Sequence, residues 1–330
     1  MSCASPSLCV ATGFRGLVMS TAPASGAQSW KPVTAPVQMT PCTPPPNLPP
    51  GVTFQCPPSG IPIGPLATFS PQAISCPAST LCVAAGLDGQ ARRSAVLIST
   101  NPAGGASTWT ETQFADSIGF SAVSCNTTPV CVALNYKGRV LATANPTGGA
   151  SAWKAQDLYP YHPSGGVSCV PGMCALESYE RAAGSYMLTT SNPLGGVGSW
   201  NGSQVSPGTN LAVVACASRH RCVAADAFGA IYASRNPANP SGRWMVDPST
   251  YPRGNPFARG FNAFPSSASC SAAGLCAVGE GSFVLTSTNP FGNHRWHKTK
   301  IDSTQFALSC PTNQLCVAAD RTGRILTGTG

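Results

Sequence analysis

One phrase, Val123 to Trp153 (VSCNTTPVCVALNYKGRVLATANPTGGASAW), recurs along the whole chain and limits its architecture more than any other feature. It reads as two closely spaced cysteines, a short apolar run, a Gly-containing turn, a second apolar run, then Asn-Pro, a Gly pair and a Trp. A phrase returning at intervals of about 40–50 residues marks an array of one supersecondary unit whose copies bury their faces on one another. Residues 1–330 are therefore expected to form one domain of seven repeats.

The cysteines fall into the pairs Cys3/Cys9, Cys76/Cys82, Cys125/Cys131, Cys169/Cys174, Cys216/Cys222, Cys270/Cys276 and Cys310/Cys316, one per repeat, with Cys42/Cys56 in addition. Zinc sites bring Cys-x2-Cys knuckles or matched His ligands, and no repeat offers either, so the pairs read as disulfides and no metal is expected. A bond closing so short a loop ties two antiparallel strands across their turn and stabilises the fold by about 2 kcal/mol. Sixteen cysteines in regular pairs suit an oxidising compartment. A secreted or surface-displayed protein is expected, with the export signal absent from this chain because Cys3 already belongs to the first repeat.

Within each repeat the second Cys opens a β-type run, as in LCVAA at Leu81, VCVAL at Val130 and RCVAA at Arg221. A Gly turn follows, then a run such as RVLATA from Arg139 or FVLTST from Phe283. Short β-branched runs punctuated by Gly and Asn-Pro are strands. Four per repeat, labelled a to d, with about seven repeats, give an all-β fold, a seven-bladed β-propeller of four-stranded antiparallel blades with one disulfide in each. Between strands c and d, Asn101, Asn145, Asn192 and Asn236 each precede Pro and lie eight residues before a Trp. Asn, Pro and Gly are the residues of a tight turn, and the Trp is expected to anchor strand d on the neighbouring blade. The Pro-rich stretch 31–70 is expected to be an insertion stapled by Cys42–Cys56, with a degenerate strand within it as the alternative, and either the last blade is three-stranded or the chain is a fragment of a longer protein.

The phrase from Ser99 to Trp109, S-T-N-P-x-G-G-x-x-x-W, resembles an elongated Asp-box (BNR) turn with Asn in place of Asp. The wider pattern LCVAxxxxGxxLTSTNP is similar to blades of sialidase-like and photosystem-assembly-factor-like propellers. The resemblance covers nearly the whole chain and implies the propeller fold. It does not imply an activity, because the Asp-box is a structural turn shared by enzymes and non-enzymes.

Strand alternation puts the a–b and c–d turns on one face and the b–c and d–a loops on the other. A functional site is expected on the second face, at the channel mouth. Candidate ligand-binding residues there are Tyr136, Tyr159, Tyr161, His162, Arg181, Arg253, Asp320 and Arg321. Candidate catalytic carboxylates are Glu177 and Glu180, in the atypical fourth repeat, and Asp226 in the next blade. Glycoside hydrolysis needs two carboxylates at a defined separation. Asp and Glu number only eleven, and no acidic position is expected to recur from blade to blade.

Charged residues make up 9% of the chain, and the net charge of +8 is spread over all repeats, so a nucleic-acid footprint is not expected. No apolar run reaches the roughly 18 residues of a membrane span. No phosphate-binding glycine loop or EF-hand loop occurs, and no cofactor is expected. These features together point to a monomeric, secreted or cell-surface binding module, non-catalytic, for a polysaccharide or an extracellular protein. The alternative is a sialidase-like hydrolase or lyase with its site at the channel mouth.

Overall fold

The computed structural model describes residues 1–330 apart from 14–15, 34–37, 41–60, 64–67, 181–183, 207–209, 248–249, 251–263, 293–295, 302–305, 321–323 and 329–330. Blade 1 consists of β1 (Ser2–Ser5), β2 (Leu8–Gly13), β3 (Gly16–Ser20) and β4 (Lys31–Val33). A separate pair, β5 (Gln38–Thr40) with β6 (Ile61–Ile63), follows it. Blade 2 is β7 (Phe69–Ala78), β8 (Leu81–Asp88), β9 (Arg93–Ser99) and β10 (Trp109–Gln113). Blade 3 is β11 (Phe120–Cys125), β12 (Cys131–Asn135), β13 (Val140–Thr143) and β14 (Lys154–Gln156). Blade 4 is β15 (His162–Val170), β16 (Met173–Glu180), β17 (Gly184–Thr190) and β18 (Asn201–Ser206). Blade 5 is β19 (Leu211–Ser218), β20 (Arg221–Asp226), β21 (Ile231–Ser234) and β22 (Met245–Val246). Blade 6 is β23 (Pro265–Cys270), β24 (Cys276–Glu280), β25 (Phe283–Ser287) and β26 (His297–Lys300). Blade 7 has three strands among the described residues, β27 (Phe306–Thr312), β28 (Leu315–Asp320) and β29 (Ile325–Gly328).

The connection between blades 1 and 2 runs from 34 to 68, because β4 and β7 take in both ends of the stretch expected as an insertion. Cys42 and Cys56 lie outside the described residues. The other seven pairs are bonded, each across the first two strands of its blade: Cys3–Cys9, Cys76–Cys82, Cys125–Cys131, Cys169–Cys174, Cys216–Cys222, Cys270–Cys276 and Cys310–Cys316. Their Cα atoms stand 3.9–4.1 Å apart, the close spacing of opposed antiparallel partners.

Two of these cysteines depart from a uniform repeat. Cys174 follows its partner by five positions where the others follow by six, yet it still faces Cys169 directly, because the blade 4 turn is one residue shorter and Gly172 adopts φ +79° in it. Cys316 lies beside a register shift between Ser309 and Thr312, and its Cα remains 4.1 Å from that of Cys310. Cys174 is 1% exposed, whereas Cys316 is only half-buried in the three-stranded blade 7.

The second strands are continuous apolar runs rather than alternating ones because both of their faces meet neighbouring blades. Val132, Ala133 and Leu134 of β12 are all fully buried. The cores accordingly lie in the seams: Val10, Leu17 and Val33 of blade 1 pack with Phe69, Ile74 and Leu97 of blade 2. Trp109 fills that same seam, Trp153 the seam between blades 2 and 3, and Trp200 the seam between blades 3 and 4. Trp244, Trp296 and Trp30 do the same for the seams behind blades 5, 6 and 1. Each Trp is delivered by the turn before it. In blade 2 the Asn101 carbonyl accepts the Gly104 amide (2.9 Å) and the Thr108 hydroxyl (2.8 Å). Gly105 adopts φ +84°, and a Cβ on Gly104 would come within 2.6 Å of the Asn101 amide nitrogen. In blade 1 Ala22 stands in the Asn position and its carbonyl still accepts the Ser25 amide at 2.9 Å, so the backbone turn does not need the Asn side chain.

The innermost strands β1, β7, β11, β15, β19, β23 and β27 pack side by side around the channel. A ladder of serines joins them: Ser2, Ser75, Ser124, Ser168 and Ser269 each accept, through Oγ, the backbone N–H of the first Cys of the following blade at 2.8–3.0 Å. The ring closes by the same bond, Cys3 N–H to Ser309 Oγ at 3.0 Å. Strands β27 and β1 pack against each other at this junction. The ladder breaks where Ala215 takes the serine position before Cys270. Ala215→Ser is expected to raise the unfolding free energy by about 1 kcal/mol, the usual net worth of one hydrogen bond. An unchanged urea midpoint for that variant would show that the serines do not bind the blades together.

Candidate functional site

Local turn chemistry organises the face opposite the disulfides. Four residues after the second Cys of blades 3, 5, 6 and 7 stand Asn135, Asp226, Glu280 and Asp320. A polar, mostly acidic position thus does recur between blades, contrary to the sequence expectation. The alignment Cys-x3-[Asn/Asp/Glu] carried that signal. Asn135 Oδ1 accepts the Lys137 and Arg139 amides at 3.0 and 2.9 Å. Asp226 Oδ1 accepts those of Phe228 and Ala230 at 2.9 and 3.0 Å, and the Tyr232 hydroxyl lies 3.0 Å from Oδ2. Asp320, four residues after Cys316, accepts the Arg324 amide at 2.9 Å and the Arg324 Nε at 2.8 Å. Asp88 holds the blade 2 turn in the same way through the Gln90 amide at 2.9 Å, and Gln113 donates to its other oxygen at 2.7 Å. These carboxylates close b–c turns from within.

Glu177 lies on β16, three residues after Cys174, and is fully buried. The opposing strand β15 carries a bulge between Pro163 and Val167, so Ser164, Gly165 and Gly166 arch over the carboxyl. The Gly166 amide donates to Oε2 at 2.9 Å, while buried Oε1 has no partner. A Cβ on Gly165 would lie 1.6 Å from Oε2, so any side chain there would push the carboxyl out of its place. Burial pushes the Glu177 pKa up to about 8, against the smaller opposing effect of the Gly166 hydrogen bond. Burial thus favours the protonated form of this carboxyl near neutral pH. Glu180 is three positions along the same strand, so its side chain leaves the opposite face of the sheet. Burial likewise raises the Glu280 pKa, offset by Lys298 at 3.4 Å. No cluster of three His, Cys, Asp or Glu side chains suited to a metal occurs among the described residues.

The aromatic candidates divide. Tyr161 is half-buried against Tyr186, with ring centroids 5.4 Å apart, and its hydroxyl fills the space where a Gly202 side chain would be. Tyr136 and Tyr159 are 61% and 82% exposed. Tyr136 reaches from the blade 3 turn to blade 2, where its hydroxyl donates to Gln72 Oε1 at 3.1 Å on innermost strand β7. On the other side of that turn a Cβ on Gly138 would lie 2.8 Å from the Pro163 carbonyl, so the turn presses on the start of β15. The segment from Tyr159 to exposed His162 leads into β15 at that point. Tyr136, Lys137, His162 and Tyr159 thus occupy adjacent loops on one rim, with Arg92 and Arg93 exposed on the blade 2 turn. Asp116 in this region accepts the Ser94 hydroxyl and the Ile118 amide (3.2 Å), and exposed Asp157 lies 3.8 Å from Arg139. Arg181, Arg253 and Arg321 lie outside the described residues.

No protein-family model matches the chain, and no curated protein matches it. Solved structures do match in fold. A structure of U3-55K aligns with 100% of this chain and 94% of its own at TM-score 0.65 and 10% identity. YCF48 bound to D1 peptide aligns with 100% of this chain and 92% of its own at TM-score 0.61 and 11% identity. The β-propeller domain of Myceliophteria thermophila Cps50 (Swd1) aligns with 98% of this chain and 95% of its own at TM-score 0.61 and 9% identity. At such identities the likeness is one of fold alone: the chain is a seven-bladed β-propeller, braced by a disulfide in every blade and similar in architecture to these propellers.

Proposed function

We propose that this protein is an extracellular, non-catalytic binding module that takes a protein ligand on the face opposite the disulfides, at the rim formed by blades 2 to 4. One observation carries the reading: Tyr136 and Tyr159 are 61% and 82% exposed on adjacent loops of a face on which Asp88, Asp226 and Asp320 are occupied in holding turns. Large aromatic side chains of this kind dominate the energetics of protein interfaces. Exposed Lys137, Arg92 and Arg93 beside them favour ligands with acidic side chains. The fold supports the reading, since YCF48 is seen bound to a peptide. The Asn-Pro turns are read as Asn variants of the Asp-box, and the disulfides favour an oxidising, extracellular setting.

The test is selection of a random peptide-display library on the immobilised oxidised protein, with a glycan array in parallel. Selected peptides are expected to be rich in Asp and Glu and to bind the Tyr136→Ser/Tyr159→Ser double variant at least tenfold more weakly. Peptides that bind wild type and variant equally would place the site elsewhere. Retention of glycans without any peptide would make a polysaccharide the ligand.

A further inference from the structure

The disulfide face has a charge pattern of its own. None of the eleven Asp and Glu residues falls in an a–b or c–d turn, so the turns of that face carry no acidic group. Blade 5 gathers basic side chains there: Arg219, His220 and Arg221 at its a–b turn, and Arg235 and Arg243 at the two ends of its c–d turn, all exposed.

Strand register brings three of them together. Cys222 faces Ser234, so Arg221 and Arg235 are the next pair outward. Ala233 faces Met245, and the same register carried two residues on reaches Arg235 and Arg243. The three arginines thus stand at one end of successive strands, which lie about 4.8 Å apart in a sheet. Like charges at facing positions are destabilising, and among the described residues none of these arginines is paired with a carboxylate. Phe291, in the blade 6 turn, holds two of them. Its carbonyl accepts Arg235 Nε and Nη2 at 3.0 and 2.7 Å, and the centroid of its buried ring lies 5.9 Å from the Arg221 guanidinium. Arg219 extends the row toward blade 4, with its Cδ 3.7 Å from the place of a Gly172 Cβ, and donates through Nε to His220 Nε2 at 2.9 Å.

These arginines stand where the rest of the ring folds without charge. Leu, Val or Met precedes the second Cys in every other blade, at the position of Arg221. The positions of Arg235 and Arg243 hold Thr100 and Thr108 in blade 2, Ala144 and Ala152 in blade 3, and Ser191 and Ser199 in blade 4. The Thr108 and Ser199 hydroxyls close their turns by donating to the Asn101 and Asn192 carbonyls at 2.8 Å, and Arg243 has no hydroxyl with which to do so. Blade 5 therefore gives up a turn bond and sets like charges side by side, which points to a ligand rather than to the fold.

The surroundings narrow the ligand. The exposed aromatic residues Tyr136, Tyr159 and Phe264 belong to loops of the other face, so among the described residues this one offers no aromatic anchor. Protein interfaces are centred on such anchors, whereas a flexible polyanion needs a row of charge. Guanidinium forks pair with oxyanions through two parallel hydrogen bonds, and a row of three suits oxyanions repeated along a chain. We propose that the turn end of blade 5 binds an extracellular polysaccharide bearing repeated tetrahedral oxyanions, sulfate or phosphate, through Arg221, Arg235 and Arg243, with Arg219 extending the site toward blade 4. This site is separate from the peptide rim on the opposite face.

Fluorescently labelled dextran sulfate and dextran phosphate are titrated into the intact oxidised protein at about 0.15 M salt. Saturable binding is expected, and the tighter of the two polymers identifies the oxyanion. Arg221→Leu/Arg235→Thr/Arg243→Thr, which installs the residues that blade 2 carries at these positions, should weaken binding at least tenfold, with circular dichroism confirming the fold. Lys31→Thr/Lys154→Thr/Lys300→Thr removes the same charge from exposed positions on blades 1, 3 and 6 and should bind within twofold of wild type. Equal losses in the two variants would reduce the effect to net charge and overturn the site, as would the absence of saturable binding to both polymers. Tighter binding of labelled poly-L-glutamate than of either dextran would make the occupant an acidic protein and overturn the proposal as well.

Discussion

Replacing Glu177 by Gln is expected to stabilise the protein relative to wild type by about tenfold in folding equilibrium for each pH unit between about 4.5 and about 8. In that window the unfolded carboxyl is ionised, while the buried one keeps its proton until pH reaches its raised pKa of about 8. The folded state then binds one more proton than the unfolded state, so wild-type stability falls as pH rises. The stability associated with the protonated group is fully present below about pH 4.5 and is lost as pH climbs to about 8. Integrated over the window, the effect is on the order of 5 kcal/mol. Gln keeps the shape of the protonated acid and cannot ionise. The comparison of the two proteins matters because burial lowers the Met1 amine to about 6. That amine acts with the opposite sign between pH 6 and 8, where only the unfolded form holds its proton, but it is common to both proteins and cancels. Urea unfolding at pH 5, 6, 7 and 8 measures the gap, and parallel pH profiles would mean that the carboxyl is not held neutral in the fold.

Reduction of the disulfides is expected to unfold the whole ring. Each bond closes a loop of five or six residues in sequence separation, for which the loss of chain entropy in the unfolded state contributes about 2 kcal/mol. Seven such bonds amount to on the order of 15 kcal/mol, as large as the entire stability of an ordinary domain. The blades have few other sources of strength: charged residues are 9% of the chain, and the second strands owe their tight seams to small side chains such as Ala84, Ala133 and Ala224. Cys9, Cys82, Cys131, Cys222 and Cys276 are completely buried and Cys174 nearly so, so a mild reductant alone acts slowly and the comparison is made after equilibration in low urea. Half-buried Cys316 makes Cys310–Cys316 the bond expected to be reduced first. Reduced protein should lose its β-sheet circular dichroism cooperatively, while Cys125→Ala/Cys131→Ala in one blade should lower stability by about 2 kcal/mol and leave the ring folded. A reduced protein with the oxidised urea midpoint would assign stability to the seams alone.

The repeat made the fold legible. Cysteine spacing predicted cross-strand bonds in every blade, and the seven described pairs bridge adjacent strands even where the spacing shortens at Cys174 or the register slips beside Cys316. The Asn-Pro turns with their Trp predicted where the fourth strands of blades 2 to 6 begin. The face that carries Tyr136, Tyr159 and His162 followed from strand alternation. The acidic candidates were harder to read. Asp226 and Asp320 occupy one repeated position and close their own turns, a pattern visible in the spacing from the second Cys but masked by Asn135 and Glu280 at the same place.

Local order is encoded within one repeat of the sequence, because disulfide loops, tight turns and antiparallel neighbours are set by residues a few positions apart. The remaining features depend on residues that only the closed ring brings together. Ser75 bonds the Cys125 amide fifty residues away, and Ser309 bonds that of Cys3 across the whole chain. Glu177 resembles any polar strand residue until the Gly165–Gly166 bulge of the adjacent strand covers it and the neighbouring blade excludes water. Burial, and with it the proton that Glu177 retains, depends on which surfaces meet around the ring, and that is a property of the tertiary packing.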